Sequence, residues 1–392
     1  MAEVTNYIDR LVAELCPDGV DFYTIDELIT LDFGTRITKS KDAGTIYPVY
    51  GGGGASFRTD NYNREDKYVV SRFAMSEKCV RYVSGKFWML DSGFTYSVKD
   101  ESLLSYKYIS YWLLNAQQEI YACSSQSAQR NLKTAEFKRF EVPVPPLEIQ
   151  EAIVEILDKF TNLEAELEAE LEARTLQYQY YRDSLFEALD CPRVPLGSFA
   201  QLVRGSGMPK TDFSESGVGA IHYGQIYTKF GTATAEVIAH VPEEKAKKLA
   251  VVNPGDVIVA NTSENLEDVC KAVAWVGDSD IVTGGHATVI KAPEQNAKFI
   301  SYYMATGQFN KDKRRHAFGT KVIDVAPKNL AKIEFPVPSL EEQQRIVDIL
   351  DRFDALTASL SEGLPAELAA RRSQYEYYRD QLLTFPRKGE NQ

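Results

Sequence analysis

LEAELEAELEA, residues 163–173, places a leucine at every fourth position, Leu163, Leu167 and Leu171, with glutamate and alanine between them. A spacing of four is close to the helical period of 3.6, so the leucines form a slowly turning stripe on one α-helix. Apolar residues at spacings of three and four extend this stripe over 147–190. The pattern predicts a helix of roughly 40 residues, about 60 Å long, that needs a partner for its apolar face.

A second copy of this segment supplies the partner. VPPLEIQEAIVEILDKF (144–160) matches VPSLEEQQRIVDILDRF (337–353) at an offset of 193 residues, and QYQYYRDSLF (177–186) matches QYEYYRDQLL (374–383) at an offset of 197. The difference is one tetrad, because the second copy carries Leu356, Leu360, Leu364 and Leu368. The two stripes predict an antiparallel, coiled-coil-like pair of helices. Gly363 and Pro365 predict a kink or short break in the second helix.

The start of the chain resembles the end of a repeat. The motif Tyr-x-Asp-x-Leu occurs at 7–11, 181–185 and 378–382, and Cys-Pro follows its first two copies, at 16–17 and 191–192. Chance similarity of short polar helices is the alternative, but the motif and the following dipeptide agree together. The sequence therefore predicts a pseudo-twofold, circular organisation in which the two ends of the chain lie close together.

Two domains lie between the helical segments, and both contain short β-rich runs such as YVVS, VIVA and HATVI among turn residues. Each also has one predicted helix, near 104–121 or 296–310. The predicted fold class is α+β, with two mixed α/β domains separated by two long helices. The predicted boundaries are 1–20 for an N-terminal helix that completes the C-terminal repeat, 21–146 and 191–338 for the two domains, 147–190 and 339–386 for the helical segments, and 387–392 for a tail.

The bulk composition restricts the class of protein. The net charge is −12, but 147–190 and 339–386 carry −9 and −4, so the rest of the chain is nearly neutral and can present local basic surfaces. The five cysteines form no Cys-x-x-Cys pair, which favours reduced thiols in a cytosol over a disulfide frame. No run of about 20 apolar residues and no signal peptide is found. We expect a cytoplasmic protein.

Together these features resemble the specificity subunit of type I restriction–modification systems. The resemblance covers the whole chain, and ILDKF, QYQYYRDSL and the leucine tetrads are similar to the tetrapeptide-repeat, type IC-like subgroup. The repeat in that subgroup is Thr-Ala-Glu-Leu, whereas here it is Glu-Ala-Glu-Leu. YPVYGGGGASF (47–57) also resembles a segment of many first recognition domains in this family.

The resemblance implies a function. Each α/β domain would be a target-recognition domain that binds one half of a bipartite double-stranded DNA sequence. The helices would set the gap between the halves and bind two methyltransferase subunits, which methylate adenine at N6, and motor–endonuclease subunits would join the complex. This chain would bind no cofactor, because S-adenosylmethionine, ATP and Mg²⁺ belong to the partner subunits.

The tetrads would act as a spacer ruler. One added tetrad lengthens a helix by about 6 Å and rotates the rest of that helix by ~40°, so the apolar face is nearly preserved. Six ångströms correspond to about two base pairs of duplex DNA. Taken alone, LEAELEAELEA is also simply a good helix former. The matching tetrads of the second copy favour the ruler, whose residues are Leu163, Leu167, Leu171, Leu356, Leu360, Leu364 and Leu368.

The sequence contains no recognisable catalytic or metal motif. The adenine-methylase motif Asn/Asp-Pro-Pro-Tyr/Phe is absent, and Gly51–Gly54 lacks the Lys-Ser/Thr of a phosphate loop. The four histidines are dispersed, without helical pairs or nearby cysteines. We therefore expect no catalytic residue, no metal and no enzyme activity of its own. The alternative is a coiled-coil adaptor that joins two protein-interaction domains and binds no DNA.

A DNA-recognition protein needs phosphate contacts and a few side chains that reach base edges. Candidates are polar and basic residues in glycine-rich and turn-rich segments. Two basic clusters, 126–133 and 311–321, precede the two long helices at similar positions. The predicted DNA-binding residues are Arg36, Lys39, Lys41, Arg58, Arg72, Ser127, Gln129, Arg130 and Lys133 in the first domain, and Arg204, Lys210, Tyr223, Asn261, His286, Lys311, Lys313, Arg314, Arg315 and Lys321 in the second.

Overall fold

The computed structural model describes residues 2–357 and 363–389, and the side chains of 7–355 and 363–389. It divides into two compact units, Met1–Glu166 with Ala370–Gln392 and Leu167–Ala369. Of the predicted ruler residues, Leu360 lies outside the described residues, as does the side chain of Leu356.

The first unit is built around a mixed sheet. Its six strands are ordered β2-β7-β5-β6-β3-β4, and β1 pairs separately with β8. The helix predicted near 104–121 is two helices, because the chain turns at Ala116. The elements are α1 (Ala2–Leu15), β1 (Asp21–Thr24), α2 (Ile25–Leu28), β2 (Ile29–Phe33), α3 (Lys39–Asp42), β3 (Tyr47–Gly51), β4 (Gly54–Thr59), β5 (Arg64–Ser71), β6 (Val80–Met89), β7 (Gly93–Val98), α4 (Tyr106–Asn115), α5 (Gln117–Ala122), α6 (Thr134–Phe137), β8 (Glu141–Val144) and α7 (Leu147–Glu187).

The second unit contains a five-stranded sheet, β10-β19-β15-β17-β12, and a four-stranded sheet, β13-β11-β18-β14. The helix predicted near 296–310 is again two helices. The elements are β9 (Arg193–Pro195), β10 (Gln201–Arg204), β11 (Val218–Ile221), α8 (Tyr223–Thr228), β12 (Ala233–Thr234), β13 (Ala239–Val241), α9 (Glu243–Ala246), β14 (Ala250–Val252), β15 (Val257–Ala260), β16 (Thr262–Ser263), β17 (Ala272–Trp275), β18 (Ile281–Thr283), β19 (Ala287–Lys291), α10 (Ala297–Met304), α11 (Gly307–Arg314), β20 (Ile323–Asp324), α12 (Pro327–Leu330), β21 (Glu334–Pro336) and α13 (Leu340–Thr357). Two helices belong to both units: α7 ends in the second unit, and α14 (Gly363–Leu382) begins there and ends in the first.

The predicted long helix is α7, which is continuous over 41 residues. In the first unit, Phe160 of α7 stacks on Tyr378 of α14, with ring centroids 5.8 Å apart and planes inclined by 27°. In the second unit, Tyr181 of α7 stacks on Phe353 of α13 at 5.7 Å and 25°. These pairs are related by the repeat offsets, so the two copies of the helical segment make the same aromatic contact.

The tetrad leucines are less buried than a continuous apolar stripe predicts. Among the tetrad leucines whose side chains are described, Leu163 is 37% exposed, Leu167, Leu171 and Leu364 are half-buried, and Leu368 is buried. Gly363, the first residue of α14, has a φ of 76°, which is not helical. Pro365 consequently lies in the first turn of α14, where proline is tolerated.

A buried glutamine fastens each α/β domain to its long helix. Gln150 Nε2 donates to the carbonyls of Leu103 and Pro145 at 2.9 and 2.7 Å, and its Oε1 accepts from the Ser105 amide at 2.8 Å. Gln343, 193 residues later, makes the same type of contact. Its Nε2 donates to the Pro338 carbonyl at 2.9 Å, and its Oε1 accepts from the amide of Asn296 at 2.9 Å.

The two ends of the described chain are adjacent within the first unit. The amide of Val20 donates to the Pro386 carbonyl at 3.0 Å, and the amide of Lys388 donates to the Val20 carbonyl at 3.0 Å. Ile8 and Leu11 of α1 share a hydrophobic core with Leu382. The N-terminal helix is thus packed against the end of α14.

Candidate nucleic-acid interface

Loops at the ends of β2, β5 and β6 converge at one edge of the first domain. The amide of Arg72 donates to the Ser92 carbonyl at 2.8 Å, and the Leu132 amide donates to the Arg72 carbonyl at 2.8 Å. The amide of Met75 donates to the Arg130 carbonyl at 3.1 Å. We call this surface the first loop edge, defined as residues 33–36, 51–54, 71–75, 91–93 and 126–132.

The glycine run forms the β3–β4 turn within this edge. Gly52 is held by the Ser71 hydroxyl, which donates to its carbonyl at 2.7 Å. A Cβ atom at Gly52 would lie 1.8 Å from the Phe73 carbonyl oxygen, so glycine is needed for this close approach. A Cβ at Gly53 would have no neighbour within 4 Å. The turn therefore packs against Phe73 at Gly52 and faces open space at Gly53. The main chain at Gly53 is thus accessible to a binding partner.

The second domain has a corresponding surface, the second loop edge, defined as residues 204–208, 222–224, 261–263, 284–287 and 318–324. The amide of Asn261 donates to the His286 carbonyl at 2.7 Å, and the Val325 amide donates to the Asn261 carbonyl at 3.0 Å. These bonds repeat those of Arg72 with Ser92 and Leu132. The two edges therefore share one backbone scaffold although their side chains differ.

His286 occupies a strained turn of the second loop edge. Its φ is 67°, a left-handed conformation uncommon for non-glycine residues. The imidazole is exposed, its Nδ1 lies 3.1 Å from Thr262 Oγ1, and its ring centroid lies 5.1 Å from that of Tyr223. Burial lowers the pKa of the neighbouring His222, with Lys210 and His286 adding to the effect. A neutral His222 suits its Nδ1, which accepts from the amide of Gly224 at 3.1 Å.

Both edges contain a buried acceptor without a donor. Asn131 Oδ1 and Asp324 Oδ1 have no hydrogen-bond partner among the described residues, and the two positions are 193 residues apart. Arg204 Nη2 lies 3.8 Å from Asp324 Oδ1, within ion-pair range but beyond hydrogen-bonding distance. Buried acceptors normally find a donor in the protein, in water or in a ligand.

The family model of the type I restriction modification DNA specificity domain matches residues 17–173 and 192–370. The chain belongs to this family. It is a DNA specificity subunit of a type I restriction–modification system, which is the non-catalytic, target-recognising chain, and the adaptor alternative is not favoured.

Curated relatives agree with this assignment, and a solved structure shares the fold. The specificity subunit is 33% identical over 308 residues to that of the Escherichia coli type I restriction enzyme EcoR124I/EcoR124II, covering 74% of this chain and 73% of the relative. It is 25% identical over 383 residues to a putative type I specificity subunit of Haemophilus influenzae, covering 93% and 96%. The fold matches the crystal structure of the type I S subunit from M. genitalium with a TM-score of 0.55 and 18% identity, covering 93% and 95%.

The described part of the specificity subunit contains no cluster of histidine, cysteine and acidic side chains placed to hold a metal ion. Among the described helices, none has the length and apolar character needed to cross a membrane.

Two predicted DNA-binding residues of the specificity subunit are buried and leave the candidate set. Asn261 is 0% exposed. Its Nδ2 donates to the Val325 carbonyl at 2.7 Å, and its Oδ1 accepts from the Thr288 hydroxyl at 2.7 Å. Lys313 is 3% exposed, and its ammonium donates to the carbonyls of Glu267 and Val269 at 2.6 and 2.7 Å. Burial lowers the pKa of Lys313. Both residues stabilise the domain and cannot contact a phosphate or a base.

The basic cluster 311–321 is not the loop that the sequence predicted. Residues up to Arg314 belong to α11, and by the offset of 193 the loop 126–131 corresponds to 319–324. Of the five DNA-binding residues predicted in this cluster, only Lys321 is in the second loop edge. Arg314 pairs with Glu267 at 3.3 Å and Arg315 with Asp312 at 3.5 Å, while Lys311 is exposed on the same helix.

The remaining candidates divide by location. Arg36, Arg72, Ser127, Gln129 and Arg130 lie in the first loop edge, and Arg204, Tyr223, His286 and Lys321 lie in the second. Lys39 and Lys41 lie on α3, Arg58 on β4, Lys133 beside α6 and Lys210 in a short turn, outside both defined edges.

Sequence reasoning missed Phe33 and Phe73, whose rings lie beside the Arg72 guanidinium, and it missed Asn131 and Asp324. The repeat offset could have drawn attention to the last two. Nothing in the sequence pattern indicates the contact of Phe33 with Arg72.

Proposed function

We propose that this specificity subunit binds a bipartite duplex target, with one half held at each loop edge. The observation that carries the proposal is the repeated scaffold, in which the bonds of Arg72 with Ser92 and Leu132 recur at Asn261. The recognition domains would be 21–146 and 191–338, and the helical segments 147–190 and 339–386 would form an antiparallel, circularly closed spacer of the tetrapeptide-repeat type, preceded by the helix in 1–20 and followed by the tail 387–392.

The proposed partners dock on the helical segments. Tyr180 and Tyr377 occupy equivalent positions at the offset of 197, and they are 70% and 59% exposed. Large exposed aromatic rings on otherwise polar helices are typical of binding surfaces. We propose that each marks the site of one methyltransferase subunit, that motor–endonuclease subunits join the complex, and that those chains bind S-adenosylmethionine, ATP and Mg²⁺ in the cytoplasm.

The first test measures which basic residues contact phosphates. Arg204→Ala and Lys321→Ala, both in the second loop edge, should each reduce the magnitude of the negative slope of log K against log salt by about 0.9 in the methyltransferase complex, because each contact releases condensed counterions. The measurement is a salt titration of duplex binding by fluorescence anisotropy. The comparator is the double variant Arg314→Ala, Arg315→Ala, at the end of α11. A shallower salt dependence only in the comparator would move the interface from the loop edge to α11.

The second test concerns stoichiometry. The complex should contain one specificity subunit and two methyltransferase subunits by native mass spectrometry. Tyr180→Ala and Tyr377→Ala should each shift it towards a single methyltransferase, and the double variant should abolish the two-copy species. Tyr62→Ala is the matched control, because Tyr62 is 44% exposed but lies in the first α/β domain. Loss of both copies from either single variant would contradict two independent sites.

A further inference from the structure

The Arg72 guanidinium contacts two aromatic rings at the first loop edge. Its guanidinium carbon lies 4.9 Å from the ring centroid of Phe33 and 4.6 Å from that of Phe73. Phe33 in turn packs edge-on against the buried Phe94, with centroids 5.5 Å apart. Cation–π contacts of this kind fix the plane of a guanidinium without using its N–H donors.

The guanidinium donors of Arg72 remain available for a ligand. No hydrogen bond or ion pair of this guanidinium is found within the described part of the chain, although the side chain is half-buried. Other arginines of the domain differ. Arg58 donates to the Ile46 carbonyl at 2.7 Å, and Arg64 donates to Thr95 Oγ1 at 2.7 Å.

The two neighbouring arginines also differ from Arg72. Arg130 stacks on Tyr121 at 4.5 Å but has acceptors on Ser124 and Gln126 at 3.5 and 3.4 Å. Arg36 is exposed, with neither a ring nor an acceptor in contact among the described residues. Arg72 thus combines a fixed plane with free donors.

We propose that Arg72 is a base-specific contact of the first recognition domain and that it donates two hydrogen bonds to O6 and N7 of a guanine in the major groove. The proposal rests on the proposed function, in which the first loop edge faces DNA. A planar fork of donors matches the two guanine acceptors, and this is the commonest specific contact between arginine and DNA. A pre-oriented side chain loses less entropy on binding than a free one.

A phosphate contact is the competing role for Arg72, and its surroundings favour the base. Phosphate is bound well by flexible exposed cations, whereas Arg72 is half-buried and fixed by two rings. The adjacent Gly51–Gly54 turn also presents Gly53 to open space, which allows the duplex to approach closely. Phe33 is accordingly a positioning residue for the Arg72 guanidinium.

The test uses the complete chain in complex with its methyltransferase. Methylated sites of the wild type give the target, and a panel of duplexes then replaces each base pair of the first half in turn. The wild type should lose about 5- to 150-fold in affinity at one G·C pair that Arg72 contacts. Arg72→Gln should lose that discrimination while keeping it at every other pair. Phe33→Ala should reduce discrimination at the same pair, and Phe33→Leu less so. Arg139→Gln is the control, with affinity and discrimination unchanged, because Arg139 is exposed and lies outside both loop edges.

Three outcomes would overturn the assignment of Arg72. Uniform weakening with discrimination kept would make it a phosphate contact, and unchanged binding would make it surface. Loss of discrimination at an A·T pair would exclude guanine. If the wild-type complex shows no sequence preference in either half, the proposed function itself fails. Circular dichroism of Arg72→Gln and Phe33→Ala separates loss of folding from loss of recognition.

Discussion

Replacing Gln150 by leucine should destabilise the first unit by about 3 kcal/mol, because the Leu103 and Pro145 carbonyls and the Ser105 amide lose the fully buried side chain that pairs with them. Leucine has nearly the same volume, so loss of packing contributes little. The measurement is the free energy of unfolding from urea titrations of the purified chain, followed by tryptophan fluorescence. Gln343→Leu should have a comparable effect on the second unit.

The control for this prediction is the adjacent Gln344. Its side chain is exposed and bonds Asp348 Oδ1 at 2.7 Å and the Asn296 side chain at 2.9 Å. Gln344→Leu should cost less than about 0.5 kcal/mol, because water replaces the lost partners. If Gln343→Leu proves no more destabilising than Gln344→Leu, the buried glutamines do not fasten the domains to their helices.

The long helix α7 could be predicted from the sequence because its apolar stripe at helical spacing occurs twice, once in each helical segment. α7 begins at Leu147 and carries the apolar residues that the 3.6-residue period indicated. The offset of 193 also relates Asp158 to Asp351, which accept hydrogen bonds from Tyr111 and Tyr302 at 2.6 and 2.8 Å. When two copies of a segment make the same packing contact, the residues that make it recur at a constant offset. Such residues can therefore be recognised from a single sequence that contains both copies.

The loop edges could not be predicted in the same way. Lys313 belongs to a basic run that is typical of a surface, yet its ammonium is buried because the carbonyls of 267–269 fold over it. Asn261 lies at the position of Arg72 and is buried by Val325 and Thr288. Which side chain faces outward depends on contacts between distant segments, and local composition does not encode those contacts. The two domains thus share a scaffold and differ in the side chains that it presents.

Inserting one Leu-Glu-Ala-Glu within 163–173 should lengthen the spacer between the two recognised half-sequences by one or two base pairs and leave both halves unchanged. α7 is continuous through this stretch, so four residues add about 6 Å and rotate the C-terminal part of the helix by only ~40°. The stretch tolerates insertion because its side chains are mostly exposed, as Leu163 is, and because neither loop edge is altered. Genome-wide mapping of methylated adenines gives the half-sequences and the spacer directly.

The matched control inserts two residues at the same point, with nearly the same composition. Phe160 packs on Tyr378 at one end of α7, and Tyr181 packs on Phe353 at the other. Two inserted residues rotate the side chain of Tyr181 by about 200° about the helix axis relative to that of Phe160. One chain cannot then keep both aromatic contacts, so methylation should be abolished while the four-residue variant stays active. A four-residue variant that keeps the original spacer would refute the ruler, and so would one that recognises a new half-sequence, because the tetrads would then act on something other than distance.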